Sequence, residues 1–182
     1  SAFNQPIGDW DTSSVSTLSY TFSYASAFNQ PIGDWDISSV STLAYTFLQA
    51  SVFNQPIGDW DTSSVSTLYY TFYFASAFNQ PIGDWDTSSV STLYRTFCYA
   101  SVFNQPLGSW NVTRVTDMSY MFQNAKDFYQ GKFCGATWVT STASQSSMFL
   151  NVRHGSISDL ASSCTCPAHG IEECACTCSN GS

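Results

Sequence analysis

The chain is poor in charge, and its shortages narrow the function before any motif is read. Only 10% of its 182 residues are charged, and Lys and Arg together number 5. The formal net charge is −8. Nucleic acid and anionic membrane surfaces are held by clustered cations, so neither is an expected partner. No apolar run approaches the ~18 residues that a membrane span requires, so membrane insertion is not expected either. There are 2 histidines, His154 and His169, both late in the chain, and no Ser-His-Asp set is read. Enzymatic chemistry is therefore not expected. No initiator Met or apolar leader precedes Ser1, and the reading is of a mature product that has lost its targeting segment.

What is abundant is aromatic and repeated. There are 14 Phe, 10 Tyr and 6 Trp. The run Ser1-Ala2-Phe3-Asn4-Gln5-Pro6-Ile7-Gly8-Asp9-Trp10 returns at residues 26, 51, 76 and 101, a period of 25 without insertion. A degraded sixth unit follows, with Phe128, Trp138 and Met148-Phe149 at the corresponding places. End repeats are usually atypical, so this unit is expected to act as a cap. The division is therefore a five-repeat array over 1–125, a degenerate cap over 126–154 and a Cys-rich, disulfide-bonded tail over 155–182.

Two periodicities lie inside each unit. Trp10 and Thr12 alternate with Asp9 and Asp11, which predicts a short strand with the apolar pair inward. Val15, Leu18, Phe22 and Ala25 are spaced by three, four and three, which predicts a short helix. Pro6 and Gly8 supply the bend between units. Each unit thus reads as one short strand and one short helix, with stacked strands forming a parallel sheet on one face. The fold class is an α/β repeat solenoid. Identical residues then form columns: Trp10, Trp35, Trp60, Trp85 and Trp110 inside, and Phe3, Phe28, Phe53, Phe78 and Phe103 beside them. Asn4, Asn29, Asn54, Asn79 and Asn104 are expected to bond the backbone of adjacent units.

The run from Phe3 through Asn4-Gln5-Pro6-Ile7-Gly8-Asp9-Trp10-Asp11-Thr12-Ser13-Ser14 to Val15 resembles the BspA-type leucine-rich repeats. So does Val115-Thr116-Asp117-Met118-Ser119-Tyr120-Met121-Phe122. The resemblance covers residues 1 to about 125, and loosely to 150. It implies a leucine-rich-repeat-like solenoid and a surface or adhesive role.

Candidate sites follow from the columns. Asp9, Asp34, Asp59 and Asp84 form one acidic column, and Asp11, Asp36, Asp61 and Asp86 another. Like charges ~5 Å apart repel by ~1 kcal/mol per pair in water, so something must relieve them. Calcium would do so, which makes these eight carboxylates candidate ligands. Hydrogen bonds from turn amides or neighbouring hydroxyls would do so equally, and no further cofactor is expected. Repeated carboxylates share one environment, which argues against a catalytic acid–base pair.

The units differ at a few places only. Tyr69, Tyr73, Phe74, Tyr94 and Tyr99 stand there on the outer side of the presumed helix, and are read as a contact surface for a partner chain or a sugar ring. Cys98 and Cys134 precede a crowded set, Cys164, Cys166, Cys174, Cys176 and Cys178, read as disulfide-forming. Seven is odd, and Cys98, placed outward, is the candidate for a free or intermolecular thiol. The sequons at Asn111 and Asn180 add to a secreted or cell-surface reading. The first unit looks like an interior one, so its end is read as open to stacking. The leading expectation is a non-enzymatic extracellular structural protein that associates head to tail with itself into a surface fibre. The alternatives are an adhesive or glycan-binding surface module, with glycans or other surface proteins as partners, and, on its hydroxyl columns, an ice-binding element.

Overall fold

The computed structural model describes residues 3–129 and 136–152. The chain winds through stacked coils in the 25-residue register, with Phe28, Phe53, Phe78 and Phe103 wholly buried along the interior. Trp35, Trp60, Trp85 and Trp110 form the parallel buried column.

The expected α/β solenoid is not what holds these coils. Among the described residues there is one helix, α1 (Ala136–Val139). The only β-bridges among the described residues are isolated parallel ones, Thr92 with Asp117 and Asp117 with Ser144. No helix lies at Val15 to Ala25, no strand at Gly8 to Ser13, and no sheet forms. The leucine-rich-repeat-like fold class is therefore set aside.

A ribbon of overlapping turns replaces the helix. In the second coil the amides of Leu43, Tyr45, Phe47 and Gln49 donate to Thr67, Tyr69, Thr71 and Tyr73 of the next coil, at 2.7–3.3 Å. The alternate amides stay local: Thr46 donates to Leu43, Leu48 to Tyr45 and Ala50 to Phe47. Every amide from 45 to 50 is thereby bonded, half along the stack and half within the coil. The geometry requires a left-handed residue in each second turn. Tyr45 has φ 61° and Gln49 φ 56°, each at the third residue of its turn, where a type II turn needs positive φ. Tyr20, Tyr70, Arg95 and Tyr120 repeat the first of these, and Tyr24, Phe74, Tyr99 and Asn124 the second. A continuous α-helix cannot pass through such residues.

The predicted strand fails for a different reason. Its alternation is real, with the Asp side chains exposed and Trp35 and Ile37 buried. The backbone, however, closes turns there: Trp35 donates to Ile32 and Val40 to Ile37. Side chains make the bonds between coils instead. The Asn4 Oδ1 accepts the Asn29 amide at 2.9 Å, and the Gln30 Nε2 donates to the Asn4 carbonyl and Oδ1. The Trp35 Nε1 donates to the Ile7 carbonyl at 3.1 Å. This set repeats along the stack, which gives Asn, Gln and Trp their fixed places. The Asn column bonds adjacent coils as its composition led one to expect, although its members are half-buried at most.

In the first four coils the glycine of the turn is set by the neighbouring coil, whereas a Cβ on Gly108 would meet nothing within 4 Å. A Cβ on Gly58 would lie 2.6 Å from the Pro81 carbonyl oxygen, and one on Gly33 2.8 Å from that of Pro56. The sixth coil keeps the turn ribbon after a two-residue insertion: Tyr120 donates to Ser146 and Phe122 to Met148. Ser147 and Asn151 are its left-handed residues. The Trp138 Nε1 donates to the Leu107 carbonyl, so the tryptophan column continues into it. Phe3 is 39% exposed and Trp10 62%, so the first members of both inner columns are not buried as their repeats are. No helix among the described residues is long and apolar enough to cross a membrane.

Candidate functional site

The left-handed residues lie on one side of the stack and carry most of its tyrosines. The rings of Tyr20 and Tyr45 stack at 4.3 Å between centroids and 10° between planes. Tyr45 continues to Tyr70 at 5.2 Å, and beside it Tyr69 stacks on Tyr94 at 5.2 Å. Tyr73 packs on Tyr70 and on Phe74, and Phe74 stacks on Tyr99 at 4.1 Å. These contacts make a continuous strip across the coils.

One charge sits in it. Arg95 occupies the place of a tyrosine in the column, and its guanidinium lies 4.8 Å from the Tyr120 ring centroid, 5.4 Å from that of Tyr94 and 5.6 Å from that of Tyr70. A cation over three ring faces is held by their quadrupoles. Its Nε is buried without a hydrogen-bond partner.

Partial burial favours the neutral phenol at Tyr45, Tyr70 and Tyr73. Burial, then the hydroxyls of Tyr20 and Tyr69, pushes the Tyr45 phenol well above its ordinary value. Burial raises Tyr70 from 10.0 to about 12, against the lowering by the Arg95 charge. Tyr73 is raised by burial as well.

The contact residues read from the sequence, Tyr69, Tyr73, Phe74, Tyr94 and Tyr99, all fall in this strip. The reading missed Tyr20, Tyr45, Tyr70, Arg95 and Tyr120, which form its spine. Their signal was available as a tyrosine at the same place in four of five units, with Arg in the other. It carried no weight while that place belonged to a helix.

The other candidate sites resolve differently. Asp11 accepts the Ser13 amide at 3.1 Å and its hydroxyl at 2.7 Å. Asp36 and Asp61 do the same with Ser38 and Ser63, and Asp86 accepts the Ser88 amide. These hydrogen bonds hold the four carboxyls below the ordinary value of 3.8, while the charges of Asp11 and Asp61 act on Asp36 in the opposite sense. Turn bonds thus relieve this column. Asp9, Asp34, Asp59 and Asp84 are exposed. Among the described residues no group of three or more His, Cys, Asp or Glu is arranged to hold a metal. Asn111 stands where the other coils have Asp, and its Oδ1 accepts the Thr113 amide and hydroxyl.

Cys98 is not outward. It is buried, its Sγ lies 3.5 Å from the Gln123 Oε1, and burial pushes its thiol from 9.0 to about 12. Such a thiol is a poor candidate for an intermolecular disulfide. The turn ribbon explains the error, because Cys98 follows a left-handed residue by three and points back under the strip rather than along a helix surface. Cys134, Cys164, Cys166, Cys174, Cys176, Cys178 and Asn180 lie outside the described residues.

A family model described as "Mycoplasma protein of unknown function, DUF285" matches residues 1–76 and again 55–160. No curated protein and no solved structure matches the chain. The leucine-rich-repeat and fibre descriptions therefore gain nothing from either source, and the first is corrected by the turn-built fold. Two overlapping matches that together span residues 1–160 cover most of the 182, and by them the chain belongs to the DUF285 family.

Proposed function

We propose that the protein is a non-enzymatic surface module, acting outside the cell, whose working face is the tyrosine strip and whose ligand is an uncharged polyhydroxylated polymer, a glycan. The observation that carries this is the choice of residue at the left-handed positions. Gly or Asn adopts positive φ at least cost, and a bulky residue there costs roughly 1–3 kcal/mol. Yet Tyr20, Tyr45, Tyr70, Phe74 and Tyr99 stand there. Sequence that serves the backbone alone would not keep aromatics at these places in coil after coil.

The strip's composition supports the ligand class. Arg95 is its one formal charge, and it is engaged by rings. Ring faces are largely occupied by neighbouring rings, so the edges and hydroxyls are what the strip offers outward. Phenol hydroxyls that stay neutral donate and accept hydrogen bonds, as sugar hydroxyls do. The acidic columns, by contrast, each hold four carboxyls in one repeated environment, without the opposed environments that separate a catalytic acid from its base. The cysteine-rich tail and the two sequons support the extracellular placement.

The test is binding of neutral polysaccharides by the full chain and by a Tyr45→Asn, Tyr70→Asn double variant. Asn is at home in the left-handed region, so the variant should fold. Retained thermal stability with at least a tenfold loss of affinity, about 1.4 kcal/mol, is the expected result. Equal binding by both chains would overturn the reading.

A further inference from the structure

The geometry points to Tyr20 and Tyr45 as an oxidative cross-linking site, at which a peroxide-driven one-electron oxidant joins the two rings as dityrosine and staples the first coil to the second. This goes beyond glycan recognition and stands independently of it.

Three observations place the reaction there. The two rings are stacked at 4.3 Å and 10°, the shortest separation of any tyrosine pair in the strip. Coupling of two phenoxyl radicals needs their ortho carbons in near contact, and a stacked pair provides this before oxidation begins. The site is also reachable, since Tyr20 is 57% exposed, whereas Tyr45 is half-buried and held in register by its amide bond to Tyr69. Finally, Tyr20 is open to solvent, so water is at hand to take the protons that the two phenols release.

Among the described residues the competing sinks are few. Cys98 is buried with a raised thiol pKa, so it offers little thiolate to scavenge the radical. Trp35, Trp60, Trp85 and Trp110 are buried. Trp10 and Tyr129, each 62% exposed, Tyr24, 56%, and Tyr99, 37%, are the exposed alternatives.

The step balances as follows. Each phenol gives up one electron and its hydroxyl proton, leaving two phenoxyl radicals. The radicals join through one new carbon–carbon bond between ortho positions. The hydrogens on those carbons then move to the two oxygens, restoring both phenols. The two electrons and two protons reduce one hydrogen peroxide to two waters through a haem peroxidase. The product chain has one pair of hydrogen atoms fewer than the starting chain.

The test treats the full chain, dilute enough to remain monomeric, with a haem peroxidase and one equivalent of hydrogen peroxide. The expected result is dityrosine emission from the monomer, a mass lower by that pair of hydrogens, and one linked peptide joining Tyr20 to Tyr45. Tyr45→Phe keeps the ring stack and should lose that peptide, while Tyr129→Phe should retain it. Cross-links formed only between chains, a link confined to Tyr69 and Tyr94, or oxygenation of Trp10 without any link would each overturn the proposal. Because Tyr→Phe preserves packing, loss of the peptide is not a sign of unfolding, and near-ultraviolet circular dichroism of each variant checks that.

Discussion

Phe72→Ala is expected to destabilise the protein by roughly 3–5 kcal/mol, the usual range for deleting a fully buried aromatic ring. In a chain of this length that lowers the melting temperature by on the order of 10 °C. Phe72 is wholly buried and sits at the crossing of three columns. It stacks on Phe78 at 4.0 Å, on Phe47 at 5.4 Å and on Phe97 at 5.5 Å, and it touches Trp85 at 6.1 Å. Its loss opens a void that the flanking coils cannot close, because each is fixed by bonds to the next along the stack. Val52→Ala, at a 43% exposed residue, should change stability by less than ~0.5 kcal/mol in the same calorimetric experiment.

Asn54→Ala should cost about 2 kcal/mol by a different route. The Asn54 Oδ1 accepts the Asn79 amide at 2.9 Å and the Gln80 Nε2 at 3.1 Å. Where residues 76–90 pass the preceding coil, no backbone amide bonds to backbone across the gap. Side-chain acceptors are what remain. Alanine strands the half-buried Asn79 amide, and an orphaned donor costs more than the bond alone was worth. Asn54→Asp keeps the acceptor oxygen. Chemical denaturation should therefore show the aspartate variant losing less than half of what the alanine variant loses. Equal losses would mean that the Asn column fills space rather than bonds.

The period of the array was legible in the sequence because 25-residue self-similarity needs no structural assumption. The inner columns were legible too: Trp35, Phe53 and Phe78 are where their spacing put them, while Phe3 and Trp10, first in their columns, are exposed. The secondary structure was not. Leu18, Phe22 and Ala25 repeat at helical intervals, but the turn ribbon has its own four-residue unit, with left-handed residues at Tyr20 and Tyr24. It brings Leu18 and Phe22 to the core with the same spacing as a helix would. Nothing in a tyrosine announces positive φ, so the pattern alone could not separate the two. The strand reading failed likewise. Asp36 was read as an outward strand residue, yet its carboxylate closes a turn on Ser38. The aromatic strip was half legible. Variation between units marked Tyr69, Tyr73, Phe74, Tyr94 and Tyr99, but the near-constant Tyr20 column was passed over. Constancy there reads as packing until the backbone shows how costly the choice is.

The most direct test is the backbone conformation of Tyr45, Gln49, Tyr70 and Phe74 in solution. Proton couplings and short amide-to-α-proton distances within each residue, measured by nuclear magnetic resonance, distinguish positive from negative φ. A stack of turn-built coils that displays its tyrosines from left-handed positions requires positive φ at all four. Negative φ throughout residues 68–75, with the shifts of a continuous helix or strand, would contradict both the fold and the strip built on it.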